Sequence, residues 1–227
     1  MAEQYTHMSR EEFAKKIVAG ERNFRRIHLP NQTDLSAFIP DLNKYLVEQN
    51  LEKDKIDFSK SELIEIIAPA IYIPFSNMFR AYMYGANMSG AYMYRANMHR
   101  ANMSGADMHR ANMSGADMSE ANMYGADMSR AYMYGANMSG AYMYRANMSG
   151  ADMHRANMSG ANMSGANMSG ADMSGANMSG ADIRSVNLER VMGLKDVIFK
   201  NTLVTKEEKE IILKAREGLD LFDLREE

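Results

Sequence analysis

Apolar and polar positions through the middle of the chain recur with a period of five. In ANMSGANMSGANMSGADMSGANMSG, residues 156–180, each pentad has a large apolar residue at its centre and a small one at its start. Five residues advance an α-helix by about 140°, so Met158, Met163, Met168 and Met173 would scatter around its axis without forming an apolar stripe. A continuous strand fails because five is odd and side chains alternate, which would leave half the methionines in water. The pattern therefore predicts a chain that resets its direction once per pentad: a short extended piece, then a corner, with every methionine inward. In Met-Ser-Gly-Ala the serine and glycine take the central positions of a β-turn, and a type II turn needs positive φ at the second, which suits glycine. Where Arg95, Arg100, Arg110 or Arg130 replaces that glycine, a turn variant without positive φ is expected. Four corners close a square coil, stacked coils exchange backbone hydrogen bonds, and alanine is small enough to tuck beside methionine.

The pattern A(N/D/Y)M(S/Y/H)(G/R/E) runs in one phase from Ser76 to Ser185, through 22 consecutive pentads. Looser pentads extend it back to Ile56 and forward to Arg190, covering 135 of 227 residues. It resembles the A(D/N)Lxx pattern of the pentapeptide-repeat family. That resemblance implies an all-β solenoid, a right-handed quadrilateral β-helix of about 20 residues per coil. At a strand spacing of about 4.8 Å the pentads would build a rod roughly 32 Å long. The departure from the family is the central residue, usually Leu or Phe, which here is Met at every position from Met78 to Met178.

A stack of coils leaves unpaired edges, so solenoids need α-helical or other caps. Residues 1–55 read as an N-terminal cap, 56–203 as the β-helix and 204–227 as a C-terminal capping helix and tail. Ser9-Arg10-Glu11-Glu12 is a capping box that starts a short helix with Phe13, Ile17 and Val18, stopped at Gly20. Phe24 and Leu29 are five apart and mark a first coil. A second helix is expected after Pro40, over 41–49, with Leu42, Tyr45 and Leu46 covering that coil. Thr205-Lys206-Glu207-Glu208 is another capping box, opening a helix to about Arg216 that would lay Ile211, Ile212 and Ala215 on the last coil. The tail keeps Leu219, Leu221, Phe222 and Leu224, which would pack on that helix or form a dimer contact. Packing on the helix is the first expectation; the family resemblance keeps a homodimer through the C-terminal end as the alternative, since its members often dimerise there.

Composition narrows the chemistry. There are no cysteines, hence no disulfide or thiolate metal site. The opening MAEQYTHMSREEF lacks an apolar signal region, and the longest apolar run, residues 66–75, is too short to cross a bilayer. A soluble, cytoplasmic protein without membrane contact is the expectation. Residues 20 apart should stack, so His99, His109 and His154 fall on three different faces and cannot converge on a metal. Asp, Ser and His sit on flat outward strands with no concavity, so no enzyme activity and no cofactor are expected. The methionine thioethers could bind a soft metal, but their place in a dry core assigns them to packing, where oxidation would be damaging.

Function must then lie outside the core. The family resemblance implies one class, a DNA-mimic modulator of DNA gyrase or topoisomerase; the other is a structural scaffold or protein-interaction module. Between residues 76 and 190 nine arginines oppose six aspartates and two glutamates, a formal charge of +1, whereas a duplex mimic should be strongly negative. The same arginines are interleaved with acids and form no basic stripe, which disfavours nucleic-acid binding. A protein-interaction module is the better reading, with an unidentified protein partner. Its surface is expected at Tyr82, Tyr84, Tyr92, Tyr94, Tyr132, Tyr134, Tyr142 and Tyr144, aromatic anchors of the kind enriched at interfaces, with Arg110 and Arg130 beside them. The segment AYMYGANMSGAYMYRANM at 81–98 returns at 131–148, an offset of 50 residues, or two and a half coils, so the copy lands on the opposite face.

Overall fold

The computed structural model describes residues 5–216 and 224–226, the last three by their backbone. Its repeating unit follows from three backbone hydrogen bonds per pentad. The Met83 N–H donates to the Asn102 carbonyl (2.7 Å), Gly85 N–H to the Ser104 carbonyl (3.0 Å), and Asn102 N–H to the Ala81 carbonyl (2.9 Å). Second residues of pentads 20 apart are thus paired in parallel, from Asp57↔Asn77 through Asp172↔Met192. Four pentads make one turn of a β-helix, and each pentad occupies one face. Within a pentad the Ala86 N–H closes the corner onto the Met83 carbonyl (3.1 Å).

Each position has one job. The alanines from Ala81 to Ala181 and the methionines from Met78 to Met178 are all buried, and together they form one continuous core. Asn or Asp at the second position bends its side chain back: Asn102 Oδ1 accepts both the Ser104 N–H (3.2 Å) and the Ser104 hydroxyl (2.7 Å), an Asx turn that supports the corner. Some of these amides also ladder between coils, as Asn157 Nδ2 does to Asn137 Oδ1 (3.2 Å).

The corners correct one expectation. Arg95, Arg100, Arg110 and Arg130 have φ of +55°, +58°, +56° and +56°, in the same left-handed region as the corner glycines, which run from +60° to +69°. Their N–H groups carry a rung of the inter-coil ladder, Arg110 N–H to Ser129 carbonyl at 2.9 Å for example. Abandoning the left-handed corner would break that rung and expel the neighbouring methionine, which costs more than the left-handed conformation itself.

At the N-terminal end, β1 (Thr6–His7) pairs in parallel with β2 (Ile27–His28), and between them runs α1 (Arg10–Val18). Ser9 Oγ accepts the Glu12 N–H (3.1 Å), and Phe13 stands edge-on to Phe24 at 5.1 Å, so α1 lies on the first coil. The ladder reaches back to Asn23, through Asn23↔Asp57, His28↔Glu62 and Asp34↔Ile67. The fourth face of this coil is replaced by α2 (Ile39–Val47), which begins one residue before Pro40 and not after it, because the first turn of a helix needs no donor there. Asn43 stands in for the missing strand: its Nδ2 donates to the Ala70 carbonyl and its Oδ1 accepts the Tyr72 N–H, both at 2.7 Å.

At the C-terminal end the pairing offset changes from 20 to 21 residues at Asn177↔Ile198, where a 3-10 turn, Leu194–Asp196, adds one residue after Gly193. This is the phase drift visible in the sequence. β3 (Thr202–Val204) continues the ladder from Asp182 and pairs in parallel with β4 (Leu224–Glu226). α3 (Lys206–Arg216) starts after Thr205, whose N–H donates to Glu208 Oε2 at 2.7 Å. Of the three residues expected on the last coil, Ile212 is buried whereas Ile211, one position away and turned about 100° around the helix, is exposed, as is Ala215. Leu219, Leu221 and Phe222 lie outside the described residues. No described helix is long and apolar enough to cross a membrane.

Candidate interaction surface

Numbering the faces by their paired columns places every candidate side chain. The first face carries Tyr82, Asn102, Asn122 and Tyr142 in one column, the third Tyr92, Asn112 and Tyr132. Tyr84, Tyr124 and Tyr144 follow on the first face, Tyr94 and Tyr134 on the third. The eight tyrosines expected as one surface therefore divide between two opposite faces, four on each. The reason is the 10-residue spacing of the Tyr-bearing pentads within each copy, which is half a coil.

On the first face three rings stack along the rod, Tyr124 with Tyr144 at 5.9 Å and with Tyr142 at 6.3 Å, and the Arg145 guanidinium lies over Tyr144 at 5.0 Å. Tyr124 belongs to this cluster, as its place 20 residues before Tyr144 in the repeat predicts. Tyr82 and Tyr84 stand apart, separated by the coil of Asn102 and the buried Ser104.

On the third face, Tyr72, which is not among the anchors expected from the sequence, shares a hydroxyl–hydroxyl hydrogen bond with Tyr94 at 3.1 Å. That bond, with partial burial, pushes the Tyr94 pKa up to about 12. The cluster extends to Phe75, edge-on to Tyr94 at 5.2 Å. Tyr134 stacks on His154 at 5.5 Å, and Arg155 Nη1 donates to the Tyr134 hydroxyl at 3.2 Å.

Arg110 and Arg130 occupy the corner between the second and third faces in successive coils. Arg100 is paired with Glu120 (Nε to Oε2, 2.7 Å) along the corner before the first face, and this contact holds the Glu120 carboxyl below its usual range. The histidines bond separately: His109 Nδ1 meets Asp107 Oδ1 at 2.7 Å, and His99 Nδ1 meets Ser119 Oγ at 2.8 Å. Among the described residues no three His, Cys, Asp or Glu side chains are grouped so as to hold a metal ion.

The repeat is matched by a family model described as pentapeptide repeats, over residues 76–115, 111–150 and 151–190. The chain belongs to the pentapeptide-repeat family. Similar solved structures include HetL from the cyanobacterium Nostoc sp. strain PCC 7120, a pentapeptide repeat protein involved in heterocyst differentiation regulation. It is 21% identical, with a TM-score of 0.36 over 87% of this chain and 98% of that one. Full-length QnrB1, a plasmid-mediated fluoroquinolone resistance protein, is 15% identical, with a TM-score of 0.39 over 94% of this chain and 95% of that one. Rfr23 from the cyanobacterium Cyanothece 51142 is 24% identical, with a TM-score of 0.34 over 62% and 86%. No curated protein matched the chain.

Proposed function

We propose that this pentapeptide-repeat protein is a non-catalytic interaction module: a right-handed four-sided rod, closed at its ends by α1, α2 and α3, that presents aromatic anchors to a protein partner. One observation carries the reading. The outward positions are not filled uniformly; exposed tyrosines stand in short ladders on two opposite faces, while the pentads from 156 to 180 carry only Asn, Asp, Ser and Gly outward. Exposed tyrosines add nothing to the core, whereas their broad, stiff, amphipathic rings suit an interface. A repeat charge of +1 argues against duplex mimicry.

The test replaces all eight tyrosines with the plain residues, Asn at 82, 92, 132 and 142 and Ser at 84, 94, 134 and 144. The variant should keep the unfolding midpoint within a few degrees and lose at least tenfold in affinity for any partner captured by the natural protein. Unchanged affinity would overturn the reading.

A further inference from the structure

We propose that the third face, between Tyr92 and Tyr132, binds an extended acidic peptide segment of a partner protein; this deepens the reading above and depends on it. Tyr92 and Tyr132 belong to coils two apart, about 10 Å along the rod, and leave a notch one coil wide over Asn112 and Ser114. Tyr92 lies 6.0 Å from the Tyr72 ring. Beside the two walls, Tyr94 is tied to Tyr72 and Phe75, and Tyr134 to His154 and Arg155. Tyr92 and Tyr132 are 47% and 56% exposed. The equivalent position on the first face is shut, because Ser104 is buried there, whereas Ser114 is only half-buried.

The notch floor has a donor to offer. Asn112 Oδ1 accepts the Ser114 N–H (3.1 Å), but its column neighbours on both sides are tyrosines, so Nδ2 has no ladder acceptor among the described residues. Cations flank the notch. Arg110 and Arg130 stand in successive coils on one edge, Arg155 stands along the other edge one coil beyond Tyr132, and among the described residues none of the three has a carboxylate partner. Asp107 and Asp127 across the corner are turned to their own pentads and to Asn147. Asp152, on the third face, accepts the His154 N–H.

All three arginines sit at φ of +56° or +57°, where glycine would be free of strain. A charge kept at such a corner, with no ion pair to stabilise it, suits a ligand outside the chain. Carboxylates spaced along an extended peptide can take the two successive guanidinium forks and the Asn112 amide, while its aromatic side chains enter the notch against Tyr92 and Tyr132. A nucleic acid fits less well, because three unpaired cations on a chain of net charge −3 neutralise few phosphates.

The test is fluorescence anisotropy with a labelled octapeptide of alternating Glu and Tyr, beside an octapeptide of alternating Lys and Tyr and an eight-nucleotide oligo-dT. The natural protein should bind the Glu/Tyr peptide, more weakly at high salt. Affinity should fall at least tenfold in Arg110→Gly/Arg130→Gly and in Tyr92→Asn/Tyr132→Asn, and hold in Tyr82→Asn/Tyr142→Asn. Tighter binding of the Lys/Tyr peptide or of oligo-dT would overturn the proposal, as would no binding of the Glu/Tyr peptide. Loss confined to Tyr82→Asn/Tyr142→Asn would overturn the third face while leaving an interaction rod. Because the arginine variant installs the glycine found in plain pentads, a folding failure would not imitate the expected result, and circular dichroism checks it.

Discussion

Between residues 80 and 190 every fifth residue has φ between +53° and +69°, whether glycine, arginine, glutamate or serine stands there. Glycine made the corner legible in the sequence, but the arginines hid its uniformity, because propensity speaks for one residue and the ladder acts on all of them. The glycines differ in what surrounds them. A Cβ at Gly170 would meet nothing within 4 Å, so Gly170→Ala should cost only the left-handed backbone, roughly 1 kcal/mol. A Cβ at Gly193 would lie 2.5 Å from the Ser174 Cα and still closer to its hydroxyl, so backbone must move and Gly193→Ala should cost clearly more. Urea unfolding of the two variants checks this, and equal losses would show that the turn at Gly193 is not packed against Ser174 as described.

The pentad was readable because its period fits neither helix nor strand, and the helices because their capping boxes and apolar spacing are local signals. What escaped was contact between distant parts. Nothing near Asn43 announces that its amide completes the edge beside Tyr72, and the Asx turn made by each second-position Asn or Asp is clear only once the corner is built. The core column gives the sharper prediction. Met128 is fully buried between Met108 and Met148, which occupy the same face one coil before and after it. Met128→Ala should destabilise by about 2–5 kcal/mol, since a stacked coil cannot collapse to fill the space. Met128→Leu, near in volume and closer to the family's usual centre, should cost less than about 1.5 kcal/mol. Thermal or urea unfolding distinguishes them, and a tolerated alanine would contradict a close-packed methionine column.

Along the rod, position modulo 20 decides which side chains meet, and this rule governs the candidate site more than composition does. Tyr124 and Tyr144 stack because they differ by 20; Tyr82 and Tyr92 differ by 10 and face opposite ways. The period was legible from the repeat alone, and so were the columns. Nearness in sequence nevertheless groups the tyrosines as one surface, where the columns divide them between two faces. All of these assignments rest on the 20-residue register, and a chain without cysteine allows a clean test of it. Asn157 and Asn177 are paired across adjacent coils, their side chains in contact at 3.3 Å, and parallel neighbours about 5 Å apart are within disulfide reach. Asn157→Cys/Asn177→Cys should therefore oxidise to an intramolecular disulfide in the folded protein, while Asn157→Cys/Asp172→Cys, on adjoining faces, should stay reduced. A disulfide in the second pair and none in the first would contradict the register and every face assignment built on it.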